Sequence, residues 1–155
     1  QAVRASVERS LRRLRTDALD LLLIHSASDD LRVLRETDVV ETLIGLRQEG
    51  VTRGIGFSGY TLEANRAALA WADAIMVCYH PEDASLAPVL DEAAAKGVAV
   101  IVKKGLASGR IPPAQAIRWI LLNPAVTLVV VGSLNVDHLR ENLRLARAVR
   151  EPKAP

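Results

Sequence analysis

Short apolar runs alternate along this chain with amphipathic segments, each run beginning roughly 22 to 33 residues after the last. That is the rhythm of βα units, not of a sandwich or a helix bundle. The runs are Leu21–His25, Thr52–Ser58, Ala74–Tyr79, Ala99–Lys103 and Val126–Ser133. Their almost unbroken apolar character suits strands covered on both faces, the condition of a parallel sheet. Between them the spacing predicts helices over 38–49, closed by Gly50, over 62–71, over 85–96, closed by Gly97, and over 113–122. Ser85 reads as an N-cap, and Pro112-Pro113 suits a helix entrance. A further helix opens the chain at about residue 4 and ends near 15, and a last one runs from 136 to about 149. In the last, Leu139, Leu143, Ala146 and Val149 share one face. No Ser/Gly linker or low-complexity tract interrupts the chain, so residues 1–155 read as one domain.

The first run, Asp20-Leu21-Leu22-Leu23-Ile24-His25, delivers an imidazole at its C-terminal end. Parallel β/α proteins place their chemistry at that end of their strands, so His25 is the leading candidate for a functional residue. The competing assignment is a hydrogen-bonded core histidine. His80, before Pro81 at another strand exit, reads as a rim or loop-bracing residue.

Composition excludes several classes of function. Half the residues are hydrophobic and a quarter charged, with 20 Lys and Arg against 18 Asp and Glu, so the net charge of +2 selects no anionic partner. Aromatic residues are scarce and arginines are mixed with acids, which argues against nucleic-acid binding. Arg4, Arg9, Arg12, Arg13 and Arg15 make the first helix basic, a pattern that a solvated face explains. No apolar stretch reaches the roughly 18 residues of a membrane span, and the start lacks the order of a signal peptide. A cytoplasmic location and no membrane partner are therefore expected. The single cysteine, Cys78, sits in an apolar run and reads as a small hydrophobe in a reducing compartment.

Five parallel strands could form a doubly wound sheet, whereas a β/α barrel needs eight. The chain begins on a helix, as though a preceding strand had been cut away. From Ser10-Leu11-Arg12-Arg13-Leu14 onward it resembles the aldo-keto reductases, in the C-terminal part of their barrel. Asp20 to His25 is similar to the strand that carries the family's active-site histidine. Arg53-Gly54-Ile55-Gly56-Phe57-Ser58 resembles the strand after it, Cys78-Tyr79-His80-Pro81 the end of the third, and Gly97 to Val102 the fourth. Val130-Val131-Gly132-Ser133, leading into His138-Leu139-Arg140-Glu141-Asn142-Leu143, resembles the family's adenosine-phosphate segment. The resemblance covers nearly the whole chain and implies the C-terminal five βα units of a TIM-type (β/α)8 barrel, a (β/α)8 fold of class α/β.

It further implies reduction of an aldehyde or ketone by a nicotinamide dinucleotide, with NADP(H) favoured over NAD(H), and a small carbonyl compound as partner. The family's tyrosine, lysine and aspartate belong to strands upstream of Gln1, and neither Tyr60 nor Tyr79 matches the tyrosine. The chain alone is therefore expected to be inactive, and its exposed barrel edges to promote self-association. His25 would polarise the substrate oxygen through a ring N–H. Ser58 corresponds to the serine that holds the nicotinamide carboxamide. Three positions depart from the family around that ring: Gly59 replaces an asparagine, Met76 stands where many relatives use glutamine, and Lys103 where many stack a tyrosine. Of the adjacent pair Lys103 and Lys104, one can face the mouth, and an ammonium there suits a diphosphate. Leu106-Ala107-Ser108-Gly109 adds backbone N–H groups suited to an anion. Gly132 and Ser133 imply close phosphate approach, His138 the ribose 2′-phosphate, and Glu141 and Asn142 the adenine. No residue pattern implies a metal. Two other functions remain open: a cofactor-binding regulatory module resembling potassium-channel beta subunits, and a Schiff-base lyase using Lys103.

Overall fold

The computed structural model describes residues 1–151. The chain divides into two compact units, one from Gln1 to Ile75 and one from Met76 onward.

In the first unit α1 (Ala2–Leu14) leads into β1 (Leu19–His25), α2 (Asp30–Glu36), α3 (Val39–Gln48), β2 (Thr52–Ser58) and α4 (Leu62–Ala68). The third strand, β3 (Ala74–Cys78), begins there. β1 and β2 run parallel and in register from Leu19 opposite Thr52 to His25 opposite Ser58. β2 takes Ala74 and Ile75 of β3 alongside Gly56 and Phe57, again parallel.

The Arg-Gly-Ile-Gly motif acquires a steric reason here. A Cβ on Gly56 would fall 2.0 Å from the Ala74 carbonyl oxygen and 2.7 Å from Leu23, so only glycine lets β3 approach. Asp73 locks the same junction, its carboxylate accepting from the Ile55 amide at 2.9 Å and from the Arg47 guanidinium at 2.9 and 3.1 Å. Ile55 and Phe57 of β2, Ile75 of β3, and Leu43 and Leu46 of α3 are buried. Each such side chain contributes about 1.5–3 kcal/mol relative to exposure.

The second unit continues β3 and adds α5 (Ala87–Ala95), β4 (Ala99–Lys103), a single 3₁₀ turn (Ala107–Gly109), α6 (Pro113–Leu121), β5 (Leu128–Val129) and α7 (Val136–Arg150). β4 and β5 pair parallel, Ile101 opposite Leu128 and Val102 opposite Val129. The core of this unit is Val77, Val89, Leu90, Val100, Val102 and Ile120, all buried. Tyr79 stacks on Trp119 with ring centroids 4.6 Å apart, and its hydroxyl accepts from Asn123 Nδ2 at 3.2 Å.

All five apolar runs carry strands, and all six expected helices form. Gly50 and Gly97 have φ of 77° and 71°, the left-handed conformation that ends α3 and α5 at the anticipated places. Three expectations need correction. Ser85 caps no helix: Leu86 stands at the cap of α5, while the Ser85 amide donates to Asp83 Oδ1 at 3.0 Å and closes the preceding turn. The run 126–133 yields a strand of two residues: among the described residues β4 is the neighbour of β5, and its hydrogen bonds reach only from the Thr127 amide, on the Val100 carbonyl at 2.9 Å, to the Val130 amide, on the Val102 carbonyl at 2.8 Å. The additional helix α2 is started by Asp29, whose side chain accepts from the Arg32 amide, and it carries too few apolar residues to show a periodic face. Among the described residues no helix is long and apolar enough to cross a membrane.

Candidate active site

In parallel α/β architectures function collects at the C-terminal ends of the strands, and that is where most of the singled-out residues stand. His25 is the last residue of β1, Ser58 the last of β2, and Lys103 the last of β4. Met76 lies in the middle of β3, half-buried. Leu106 follows β4, and Gly132 and Ser133 follow β5. His138, Glu141 and Asn142 belong to the first half of α7.

In the first unit the sheet brings His25 and Ser58 together as register partners. Seven-residue strands on both sides leave little freedom at that position, and the Ser26 amide donates to the Ser58 carbonyl at 3.0 Å, carrying the pairing past the strand end. Among the described residues His25 is exposed. Its Nδ1 lies 3.1 Å from the Ser26 carbonyl oxygen. Since a carbonyl can only accept, that bond puts a proton on Nδ1. The neutral ring then offers Nε2 as an acceptor, and the doubly protonated ring offers it as a donor.

Ser58 is buried, and so is Gly59. A Cβ on Gly59 would meet the Phe57 ring at 2.2 Å and the Asn65 amide at 2.8 and 3.0 Å, so an asparagine cannot stand at 59 in this structure. The side chain that fills the space, Asn65, escapes the sequence reading entirely. It lies on α4 between Ala64 and Ala68 and is fully buried with them. Its Nδ2 donates to the Thr61 carbonyl at 2.7 Å, while Oδ1 has no hydrogen-bond partner among the described residues. The available signal was a polar residue in the small-residue stretch Leu62-Glu63-Ala64-Asn65-Arg66-Ala67-Ala68, on the face that must pack against the strand.

In the second unit the two lysines stand apart, Lys103 ending the strand and Lys104 leaving it. Lys103 is half-buried and Lys104 exposed, with Lys104 turned into a left-handed conformation at φ 55°. Ala107 and Ser108 share that conformation, at φ 48° and 59°, so the segment after β4 is tightly coiled. It is anchored by a small apolar cluster of Ala107, Ile111 and Ala116 with Leu106 packed against it. Arg110 fastens its end to Glu82 at 3.0 and 3.2 Å. His80 and Asp83 exchange backbone hydrogen bonds across the turn after β3, and His80 is buried with Nδ1 unpartnered among the described residues. That supports the loop-bracing assignment. The Ser85 hydroxyl and amide hold the Asp83 carboxyl below its ordinary value.

The segment before α7 is internally satisfied. Ser133 Oγ donates to the Asn135 carbonyl at 3.2 Å and accepts from its amide at 3.1 Å, and Asn135 Oδ1 caps the helix by accepting from the Asp137 amide at 2.8 Å. A Cβ on Gly132 would meet nothing within 4 Å, which leaves open space beside the backbone. His138 is exposed. Glu141 is occupied by Arg144, whose guanidinium donates at 2.6 and 2.8 Å and holds the carboxyl below the usual carboxylate range. Asn142 turns instead to a groove of about 510 Å³ among β5, α6 and α7, beside Ile117, Val129, Leu139 and Leu143. Glu141 and Asn142 thus face different surroundings. No cluster of three or more His, Cys, Asp or Glu suited to a metal occurs among the described residues.

Comparison with known proteins adds a direct measure of kinship. The model of the aldo/keto reductase family matches residues 1–115. An L-galactose dehydrogenase of Arabidopsis thaliana is 30% identical over 182 aligned positions, which cover 92% of this chain and 57% of that protein. An uncharacterized oxidoreductase of Schizosaccharomyces pombe is 28% identical over 93% of this chain and 52% of its own length. The chain therefore spans about half the length of these curated relatives. A solved structure from Pseudomonas aeruginosa, assigned to the aldo-keto reductases, superposes with a TM-score of 0.90 at 37% identity, covering 96% of this chain and 58% of that one. The holo form of an aldo-keto reductase from Bacillus halodurans, 22% identical with a TM-score of 0.80, shares the fold.

Proposed function

The chain belongs to the aldo/keto reductase family, and from that premise we propose that it supplies the substrate-orienting histidine and most of the dinucleotide floor of a barrel that reduces an aldehyde or ketone to an alcohol with NADPH. The observation that carries this reading is the register of His25 with Ser58, an exposed imidazole beside a buried hydroxyl at two adjacent strand ends. When bound, the dinucleotide supplies the hydride. Ser58 can both donate to and accept from a carboxamide, which suits it to hold the nicotinamide end. The half-buried ammonium of Lys103 suits a diphosphate, and Leu106 together with Met76 supplies apolar packing. Gly132 leaves room for close backbone approach, and Ser133 offers a hydroxyl beside it. By the resemblance, exposed His138 would meet a 2′-phosphate and so favour NADPH over NADH, and the adenine would be met by Glu141 after it leaves Arg144 and by Asn142 after it turns from its groove.

The role of His25 follows from its hydrogen bond. Nδ1 now donates to the Ser26 carbonyl, and a neutral imidazole would donate its one N–H to a developing oxyanion by exchanging that bond for one to the substrate, without itself supplying the proton. Proton supply to the product alcohol falls to a different group, since Tyr79 is committed to Trp119 and Asn123 and Tyr60 lies outside the strands. The decisive test is His25→Ala in the whole protein. Turnover of a small aldehyde should fall on the order of 100-fold, while NADPH affinity by calorimetry changes little. Unchanged turnover would remove His25 from the reaction. Tight NADPH binding with no turnover in the unaltered protein would favour the regulatory-module reading.

A further inference from the structure

The least explained group in the molecule is a single oxygen. Asn65 is fully buried, one of the largest side chains to be so, yet its Oδ1 has no partner among the described residues. Burying an amide acceptor without a hydrogen bond is costly, and native structures leave few such groups unless they serve a purpose. Its surroundings suggest the purpose. The amide lies where a side chain at 59 would be, directly behind the corner at which β2 ends in Ser58 and turns through Gly59 toward α4. The other half of the amide is tied down, because Nδ2 donates to the Thr61 carbonyl, and Thr61 in turn caps α4 by accepting from the Ala64 amide. Asn65 is thus fixed by its nitrogen to the start of the helix and presents its oxygen to the back of the corner.

We infer that Asn65 is a positioning residue for the Ser58–Gly59 corner, its Oδ1 receiving a backbone N–H of that corner when a nicotinamide ring is bound in front of it. Glycine at 59 and asparagine at 65 then form one device. The glycine leaves the space and the asparagine fills it with an acceptor that holds the corner from behind. The residue touches the protein and not the ligand, because its amide oxygen is sealed from solvent. This inference rests on the reading of Ser58 as a nicotinamide-holding residue.

A merely structural asparagine and a positioning one respond oppositely to an isosteric apolar replacement. Asn65→Leu removes the orphan oxygen, and Thr61 keeps a partner because its carbonyl also accepts from the Asn65 backbone amide at 3.2 Å. The whole protein carrying Asn65→Leu should therefore melt, without cofactor, at the same temperature as the unaltered protein or higher, since replacing an unsatisfied polar group by an apolar one of similar shape is neutral or stabilising. Its NADPH dissociation constant, measured by calorimetry, should rise about tenfold, the effect of one lost hydrogen bond. In the unaltered protein the Asn65 side-chain amide resonances should move when NADPH is added and stay put when adenosine 2′,5′-bisphosphate, which lacks the nicotinamide, is added. A lower melting temperature, a variant that fails to fold, an unchanged dissociation constant or static resonances would each overturn the inference. Ser58→Ala separates it from the reading beneath it. If Ser58→Ala weakens NADPH binding and Asn65→Leu does not, the positioning role alone falls. If neither weakens it, the nicotinamide assignment of this corner falls as well.

Discussion

The β1–β2 pair and the β5–α7 pair are both strand ends that carry functional candidates, yet they are built very differently. β1 and β2 have seven residues each, run in register to their last residues, and rest on buried Ile55, Phe57, Leu43 and Leu46. β5 has two residues, and α7, although fifteen residues long, buries none of them. Its apolar stripe stays accessible, with Leu143 59% exposed against 2% for Leu43. The difference teaches where geometry is enforced and where it is merely permitted. Under the proposed function, the imidazole of His25 would need an orientation held by rigid packing, whereas an adenosine end would be gripped by side chains that settle when the ligand arrives, as Glu141 would after leaving Arg144.

The comparison can be broken most forcefully at its glycines. Gly56→Ala would drive a methyl group into the Ala74 carbonyl, a backbone atom that cannot step aside, and should cost about 4 kcal/mol or more, at the extreme of single substitutions. Gly132→Ala meets nothing and should change stability by no more than about 0.5 kcal/mol. Denaturant melts of the two variants check this directly, and equal losses would show that the second region is as tightly built as the first.

A leucine pair sharpens the same contrast at smaller amplitude. Leu43→Ala should cost about 3 kcal/mol through lost burial and an unfilled cavity, whereas Leu143→Ala should cost about 1 kcal/mol or less. If Leu143→Ala proves as damaging as Leu43→Ala, α7 is covered in solution by something that buries its stripe.

A single lost hydrogen bond tests the contrast at the helix entrance. Asn135→Ala removes the cap of α7 and should lower stability by about 1 kcal/mol, with amide exchange accelerated in the first turn of α7 and left unchanged in β1 and β2. Faster exchange in β1 or β2 would mean that the two regions unfold together, and the distinction between them would fail.

The strand ends that carry the site candidates are legible in the sequence, and what is not legible has a common cause. His25, Ser58 and Lys103 stand at strand ends because an apolar run reports its own length through local chemistry, and its last polar residue marks the exit. Gly50 and Gly97 end helices for an equally local reason, the left-handed conformation that glycine adopts without strain. Lys103, half-buried at the end of β4, is separated from exposed Lys104 by the left-handed turn that leaves the strand, which the sequence does not announce. What the tertiary structure decided involves partners far away in the chain. Gly56 is required by Ala74, Gly59 by Asn65, and the Ile55 amide is satisfied by Asp73. β5 is short because an extended run becomes a strand only over the length that a neighbour pairs with it. Little in the sequence singles out Asn65, because burial, and the cost of an unpaired oxygen within it, is a property of what packs around a residue and not of its immediate neighbours in sequence.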